Sequence, residues 1–131
     1  MRWLVGNGHG WPHGDLPTWL VSRDELLLAA IGPTDVPIAQ RAGDLGAVLD
    51  EVAAAGHGRV WLAGGGAIAG QALALDRVDE VIATIGPTAL GAGPALFDVP
   101  DLPERRFAPT EVRRFGSSSV RIAWRRDRSA R

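Results

Sequence analysis

Three consecutive glycines are the strongest chemical signal in the sequence. Gly64, Gly65 and Gly66 lie between an apolar run and a helical pattern that opens with Ala67 and Ile68. Glycine lets a ligand lie against the backbone, and a helix N-terminus offers free N–H groups and a positive dipole to a phosphate. The alternative is a tight turn in which only glycine fits, although three glycines exceed what a turn requires. The five residues are therefore a candidate phosphate-binding turn.

The glycine run is not a dinucleotide-binding fingerprint of the Rossmann type. Its spacing does not fit GxGxxG, and no acidic residue follows at the distance which that fingerprint requires.

Ser22 and Arg23 form a second candidate, at the end of the buried run Thr18–Val21. Strand ends in open α/β sheets face ligand crevices, and a guanidinium there can bind a phosphate through two parallel hydrogen bonds. The alternative is an exposed arginine that merely opens a loop.

The histidines do not have the spacing of a metal site. His9 and His13 lie in a loop rich in Gly, Pro and Trp, and His57 lies between two glycines, where we expect a solvated turn. No third ligand stands near them, so no metal is predicted.

Composition excludes several chemistries. The 131 residues contain no Cys, no Tyr and no Lys, since all 14 basic residues are Arg. A thiol nucleophile, a Cys-ligated metal, a Schiff base and a P-loop lysine are therefore excluded.

Charge is unevenly distributed along the chain. Residues 1–104 carry a formal charge of −8 and residues 105–131 a charge of +7. A basic C-terminus can contact nucleic acid. However, Val120, Ile122 and Trp124 alternate with Arg121, Ala123 and Arg125, as in a half-buried strand with arginine on its solvent face. Nucleic-acid binding is not expected.

The elements predict an α/β fold with a mostly parallel sheet, flanked by helices, and an antiparallel strand pair at the C-terminus. A chain of this length forms one domain, over residues 1–131. The clearest helix begins after Asp44 and carries Leu45, Val48, Leu49 and Val52 on one stripe; a second runs from Ala67 to Leu75, with Ile68, Ala72 and Leu75 on one stripe. The predicted elements are strands at 18–21, 36–39, 59–63, 78–85, 110–115 and 119–125, a weak helix at 24–30, and a Gly/Pro-rich loop at 88–104.

Neither a membrane span nor a signal peptide is expected. No apolar run approaches the roughly 18–20 residues needed to cross a bilayer, and the first ten residues lack the apolar core of a signal peptide. These features predict a cytoplasmic protein.

Taken together, three separated motifs resemble a known family. The segment VWLAGGGAIAGQALALDRVDEVIATIGPTALGAGPALF is similar to the C-terminal reductase domain of the bacterial bifunctional riboflavin deaminase/reductase, and WPHGDLPTWLVSR resembles an earlier strand of that domain with its terminal Ser/Thr-Arg. The likeness covers roughly residues 11–125. It is closer still to the small stand-alone members, which are similar to dihydrofolate reductase.

The resemblance implies a dihydrofolate-reductase-like fold and NADPH as the hydride donor. It implies that Gly64, Gly65, Gly66 and Ala67 hold the cofactor pyrophosphate, with Ile68 opening the helix. It further implies that Ser22 and Arg23 approach the adenosine 2′-phosphate.

The sequence departs from the family pattern in two ways. Ala63 occupies the position at which the riboflavin enzyme commonly has a substrate-binding Glu, and this favours the stand-alone group. The chain also begins late, without the usual first strand and helix, so we expect an N-terminally short domain that retains the cofactor half better than the substrate half.

Two functions follow as hypotheses. The first is an NADPH-dependent reductase of a small pterin-like or pyrimidine-like heterocycle, with His9 and His13 as the nearby candidates for a proton donor. The alternative is a non-catalytic nucleotide-binding or interaction protein derived from the same family. A homodimer is expected under either hypothesis.

Overall fold

The computed structural model describes residues 13–24, 26–31 and 37–129. They fall into two compact units that divide between Val60 and Trp61. His9 lies outside the described residues, and so does the start of the strand predicted from residue 36. Within the described ranges, no helix has the length and apolar character needed to cross a bilayer.

The first unit contains a parallel strand pair and two helices. β1 (Thr18–Val21) pairs with β2 (Ile38–Arg41), so that Val21 and Arg41 stand opposite each other at the carboxyl ends of both strands. α1 spans Leu26–Ile31 and α2 spans Leu45–Ala54. The predicted strand, the weak helix and the strong helix are thus confirmed with shifts of one or two residues.

Both ends of α2 follow from local sequence chemistry. The side chain of Asp44 accepts a hydrogen bond of 3.0 Å from the Ala47 N–H, as expected of an N-cap. At the other end Gly56 adopts φ +88°, and the N–H of His57 donates to the Val52 carbonyl at 3.3 Å. This is the left-handed helix stop that glycine favours. The predicted stripe is also confirmed, with Leu45, Val48 and Val52 buried and Leu49 half-buried.

A carboxylate on α2 ties this helix to both strands. Glu51 accepts two hydrogen bonds from the fork of Arg41, at 2.8 and 2.6 Å, and a third from Trp19 Nε1 at 3.0 Å. Hydrogen bonds from Arg41 and Trp19 lower the pKa of Glu51 from 4.5 to about 2. The Trp19 ring also meets His57 edge-on at 5.3 Å between centroids. His57 is therefore half-buried against this ring, so the expected turn is present but the residue is only partly solvated.

The second unit contains one helix and an antiparallel sheet. α3 spans Gly66–Ala74, and the strands are β3 (Glu80–Ile85), β4 (Phe107–Phe115) and β5 (Ser119–Arg126). Their order is β3-β5-β4, and both pairings are antiparallel. The predicted C-terminal hairpin and the preceding loop are confirmed, and Gly116 opens the turn with φ +65°.

The buried face of α3 differs from the prediction. Gly70, Ala72 and Leu73 are buried, whereas Leu75, which we placed on the buried stripe, is exposed. Apart from Gln71, the helix contains only apolar or small residues, so its pattern does not select a face. Packing selects it instead, because the glycines of α3 lie against the loop that follows Pro94.

α3 ends on an aspartate in a left-handed conformation. Asp76 has φ +57°, and the Asp76 and Arg77 N–H groups donate to the Leu73 and Ala72 carbonyls, as in a Schellman stop. The carboxylate accepts hydrogen bonds from Arg126 Nη2 and Arg128 Nη1, each at 2.8 Å. The hydrogen bond from Arg126 is the largest of the effects that lower the pKa of Asp76. These ion pairs offset the strain of the left-handed backbone. They also offset the unfavourable interaction of an acid with the negative end of the helix dipole.

Two sequence expectations about strands are wrong for the described residues. Residues 59–63 are not in a strand, and Val60 and Trp61 are 47% and 70% exposed rather than covered on both faces. An apolar run shows only that a strand is possible, because ladder pairing depends on distant residues. The α/β class is confirmed, but the described strands form one parallel and two antiparallel pairings instead of a mostly parallel sheet.

The alternation on β5 is also only half correct. Ile122 and Trp124 are half-buried as expected, but Ala123, assigned to the solvent face, is 6% exposed. β5 is the central strand, so a small side chain there is covered by its neighbours on β3 and β4, where Ile82 and Glu111 stand opposite it.

The Glu51 site predicts an acid-dependent loss of stability. A lowered carboxylate pKa contributes stability that is present above the unfolded value and lost as the pH falls through the folded value. We expect the denaturant concentration at the unfolding midpoint to fall as the pH is lowered from 4.5 to about 2. Glu51→Gln should not show this fall, whereas the control Asp15→Asn, at an exposed site, should show it as the wild type does. An unchanged acid profile in Glu51→Gln would contradict the assignment.

Candidate cofactor-binding site

The glycine turn leads directly into α3. Gly65 is the N-cap, in an extended conformation with φ −75° and ψ 178°, and Gly66 is the first helical residue. The Ile68 and Ala69 N–H groups both donate to the Gly65 carbonyl at 3.1 Å. The five predicted residues thus form a turn that leads directly into the first turn of α3.

Two of the three glycines are required by packing within the second unit. A Cβ on Gly66 would overlap the Ala95 carbonyl oxygen, and the Asp98 N–H donates to the Gly66 carbonyl at 2.9 Å. A Cβ on Gly64 would lie 2.9 Å from Ile68 Cβ. The close backbone approach at Gly66 fixes α3 against the loop, which the sequence alone did not reveal.

Gly65 meets no such clash among the described residues. A Cβ there would lie within 4 Å of none of them, and its φ is one that any residue adopts. A side chain at this position would only project into the open space in front of the helix. Glycine is one of the residues favoured at an N-cap, and at this position it also leaves the backbone open to a ligand.

The N-terminus of α3 is suited to an anion. The Gly66 and Ala67 N–H groups donate to no described residue, no side chain caps the helix, and its first turn contains no acid. The free N–H groups and the helix dipole together favour a phosphate at this end.

Ser22 and Arg23 follow the carboxyl end of β1, as predicted. The Ser22 N–H donates to the Arg41 carbonyl at 2.9 Å, and Ser22 Oγ accepts from the Asp24 N–H at 3.0 Å. Gln40 Nε2, on the neighbouring strand, donates to the Ser22 and Asp24 carbonyls at 3.2 and 2.8 Å. Gln40 thereby fixes this turn. Sequence reasoning missed it, although its position near the end of the parallel neighbour was a signal.

Arg23 is available to a ligand. Its side chain is exposed and forms no ion pair with any other described residue, in contrast to Arg41 and Arg126, which are held by carboxylates. The Ser22 hydroxyl, which accepts from Asp24, can still donate its own proton. The pair therefore offers a guanidinium fork and a hydroxyl donor at one strand end.

The histidines do not assemble a metal centre among the described residues. No group of three potential ligands occurs there. His13 is half-buried before β1, and His57 packs on Trp19, so they belong to different local environments.

Solved structures share this fold at low sequence identity. A protein assigned by name to riboflavin biosynthesis, from Shewanella sp. PV-4, aligns with a TM-score of 0.76 and 20% identity over 97% of this chain and 69% of its own. A pyrimidine reductase-like protein from Corynebacterium diphtheriae aligns at 0.62 and 18%, and RibD from Acinetobacter baumannii at 0.60 and 19%. These two alignments cover 78% and 83% of this chain. The chain spans 44% and 31% of the length of those two structures.

The described helices and strands define an α/β fold. The model of the RibD C-terminal domain family matches residues 14–120, more than three quarters of the chain. The chain belongs to this family, as the sequence motifs predicted. No protein with a curated function matches it.

Two of the three glycines predict contrasting effects on stability. Gly66→Ala should destabilise the fold by about 1–3 kcal/mol, because its Cβ meets backbone that cannot move freely. Gly65→Ala should change the stability by less than about 1 kcal/mol, because the restriction of the unfolded chain and the loss of a favoured N-cap residue oppose each other. Urea denaturation of both variants checks the difference, and equal losses would show that Gly65 is also structural.

Proposed function

We propose that the protein is a reductase that uses NADPH to reduce an electron-poor C=N or C=O bond of a small heterocycle. The observation that carries this proposal is the open turn at Gly65, where a Cβ would meet no described residue within 4 Å and the Gly66 and Ala67 N–H groups donate to no described residue. Membership of the RibD C-terminal domain family supports the reductase class.

The proposed cofactor contacts use groups that the fold leaves available. The Gly66 and Ala67 N–H groups would hold the pyrophosphate, with Gly65 allowing it to approach the backbone and Gly64 and Ile68 completing the turn. Ser22 and Arg23 would hold the 2′-phosphate, because a guanidinium fork and a hydroxyl match its oxygens. When bound, NADPH supplies the hydride. His9 and His13 stay candidate proton donors.

The proposed substrate is pterin-like or pyrimidine-like. The structural likeness to a pyrimidine reductase-like protein supports this class. Ala63, next to the glycine turn, offers no side-chain hydrogen bond to a polar substrate, so a substrate that requires a carboxylate at this position is disfavoured. We therefore propose that the substrate differs from the one that the riboflavin enzyme reduces.

NADPH titration of the full chain, followed by tryptophan fluorescence, tests the cofactor. Arg23→Ala should weaken NADPH binding by about 10–100-fold, which corresponds to one lost charged hydrogen-bonding group, and should leave NADH binding unchanged. Gly65→Ala should weaken both nucleotides, because its methyl group occupies the space in front of the helix. Arg125→Ala, at another exposed arginine, is the control and should change neither.

The same titration separates the two functional hypotheses. A folded chain that binds neither nucleotide would overturn the proposal. Binding that is followed by oxidation of NADPH in the presence of a pyrimidine or pterin acceptor would support the reductase. Binding without turnover of any acceptor would favour the nucleotide-binding alternative.

A further inference from the structure

The central strand of the sheet in the second unit brings two arginines and a threonine into one row. Arg121 on β5 stands opposite Thr84 of β3 on one side and opposite Arg113 of β4 on the other. Residues directly opposite each other in an antiparallel sheet share a face and have Cβ atoms about 4.5–5.5 Å apart. The Thr84–Arg121–Arg113 row therefore presents a hydroxyl and two guanidiniums on one face.

The two arginines of this row form a like-charge pair that the fold compensates only in part. Arg113 forms an ion pair with Glu111 of its own strand, at 3.2 Å. Arg121 is half-buried, and its guanidinium forms no ion pair or hydrogen bond with any residue that the structure describes. Like charges directly opposite each other destabilise a sheet, and partial burial removes water that would solvate them. The row thus has a positive charge for which the described part of the chain supplies no partner.

Hydroxyl groups next to Arg121 are also available to a ligand. Thr84 is exposed, and Ser119, which precedes Arg121 by two residues and so lies on the same face, is half-buried. Neither side chain forms a hydrogen bond within the described ranges. Because a hydroxyl can donate to an anion, two donors flank the central guanidinium.

The same face is neutralised further along β5. Arg125 follows Arg121 by four residues and lies on the same face, but it stands opposite Glu80 of β3. Opposite charges in this position stabilise a sheet. The two arginines share a strand and a face and differ in the residues opposite them, so Arg125 is a matched control for Arg121.

A phosphate monoester matches the row in charge and in hydrogen bonding. Near neutral pH it carries a charge of roughly −1.5 to −2 and three strong acceptor oxygens. A guanidinium fork binds two such oxygens through parallel hydrogen bonds, and a hydroxyl can bind the third. A phosphate diester has one negative charge and two terminal oxygens, so it is attracted less strongly and leaves more of the donors unused.

We propose that the Thr84–Arg121–Arg113 row binds a phosphate monoester, with the Arg121 guanidinium as the central contact. Arg113 holds the phosphate from β4, and the hydroxyls of Thr84 and Ser119 donate to it. The site uses none of the residues proposed to hold NADPH, and it does not depend on the reductase function.

Two-dimensional proton–nitrogen NMR of the full chain tests the site, with inorganic phosphate as the first probe and the ionic strength held constant with chloride. The amide signals of Thr84, Arg113 and Arg121 should shift and saturate together. Phenyl phosphate, a monoester, should produce the same saturable shifts. Diethyl phosphate, a diester, should bind about tenfold more weakly or less, because it lacks one charged contact.

Charge-removing variants locate the binding. Arg121→Gln and, at a more exposed position, Arg113→Gln should each weaken phosphate binding by about tenfold or more, which corresponds to one lost charged hydrogen-bonding group. The control Arg125→Gln should change it by less than about twofold, because salt screens exposed charges that are not in contact. Arg23→Ala should leave these amide shifts unchanged, which separates the row from the proposed cofactor contacts.

Stability gives a second readout. Phosphate should raise the urea midpoint of the wild type and of Arg125→Gln more than that of Arg121→Gln, because a ligand stabilises the state that it binds. Each variant is compared with itself in chloride, so a folding defect alone does not produce this difference. Shifts that rise without saturating, equal binding of diethyl phosphate, no binding of phenyl phosphate, or equal losses in Arg125→Gln and Arg121→Gln would each overturn the proposal.

Discussion

A backbone-to-backbone approach at Gly66 positions the candidate site. The Asp98 N–H donates to the Gly66 carbonyl, and the Ala95 carbonyl lies where any side chain on Gly66 would be. Only glycine permits this approach. The loop thus holds α3 at its first residue, where the Gly66 and Ala67 N–H groups donate to no described residue. The packing of the loop and the proposed phosphate contact therefore involve the same residue.

In each unit, arginine–carboxylate pairs also hold elements of the fold together. Glu51 holds the Arg41 fork in the first unit, and Asp76 holds Arg126 and Arg128 in the second. In a chain whose basic residues are all arginine, every such anchor can be planar and two-pronged, which fixes orientation as well as distance. The pairing also distinguishes structural arginines from Arg23, which keeps its guanidinium exposed.

The sequence predicts best where the chemistry is local. The Asp44 cap, the Gly56 stop and the hairpin at Gly116 depend on residues a few positions apart, and all were found. Residues 59–63 were wrongly predicted as a strand, and Leu75 was wrongly placed on the buried stripe of α3, since apolar runs do not state which distant backbone they meet. Gly64 to Ile68 were found as a motif, but the different roles of their glycines appear only when the loop at Ala95 is in place.

The stop of α3 has a consequence for synthesis of the chain. Asp76 carries the left-handed backbone at the helix end, but the arginines that hydrogen-bond its carboxylate lie 50 and 52 residues later. On a ribosome, which releases the N-terminal side first, α3 emerges long before these two residues. We expect the helix end to fray until β5 arrives, so that this strand, rather than local propensity, locks this part of the fold.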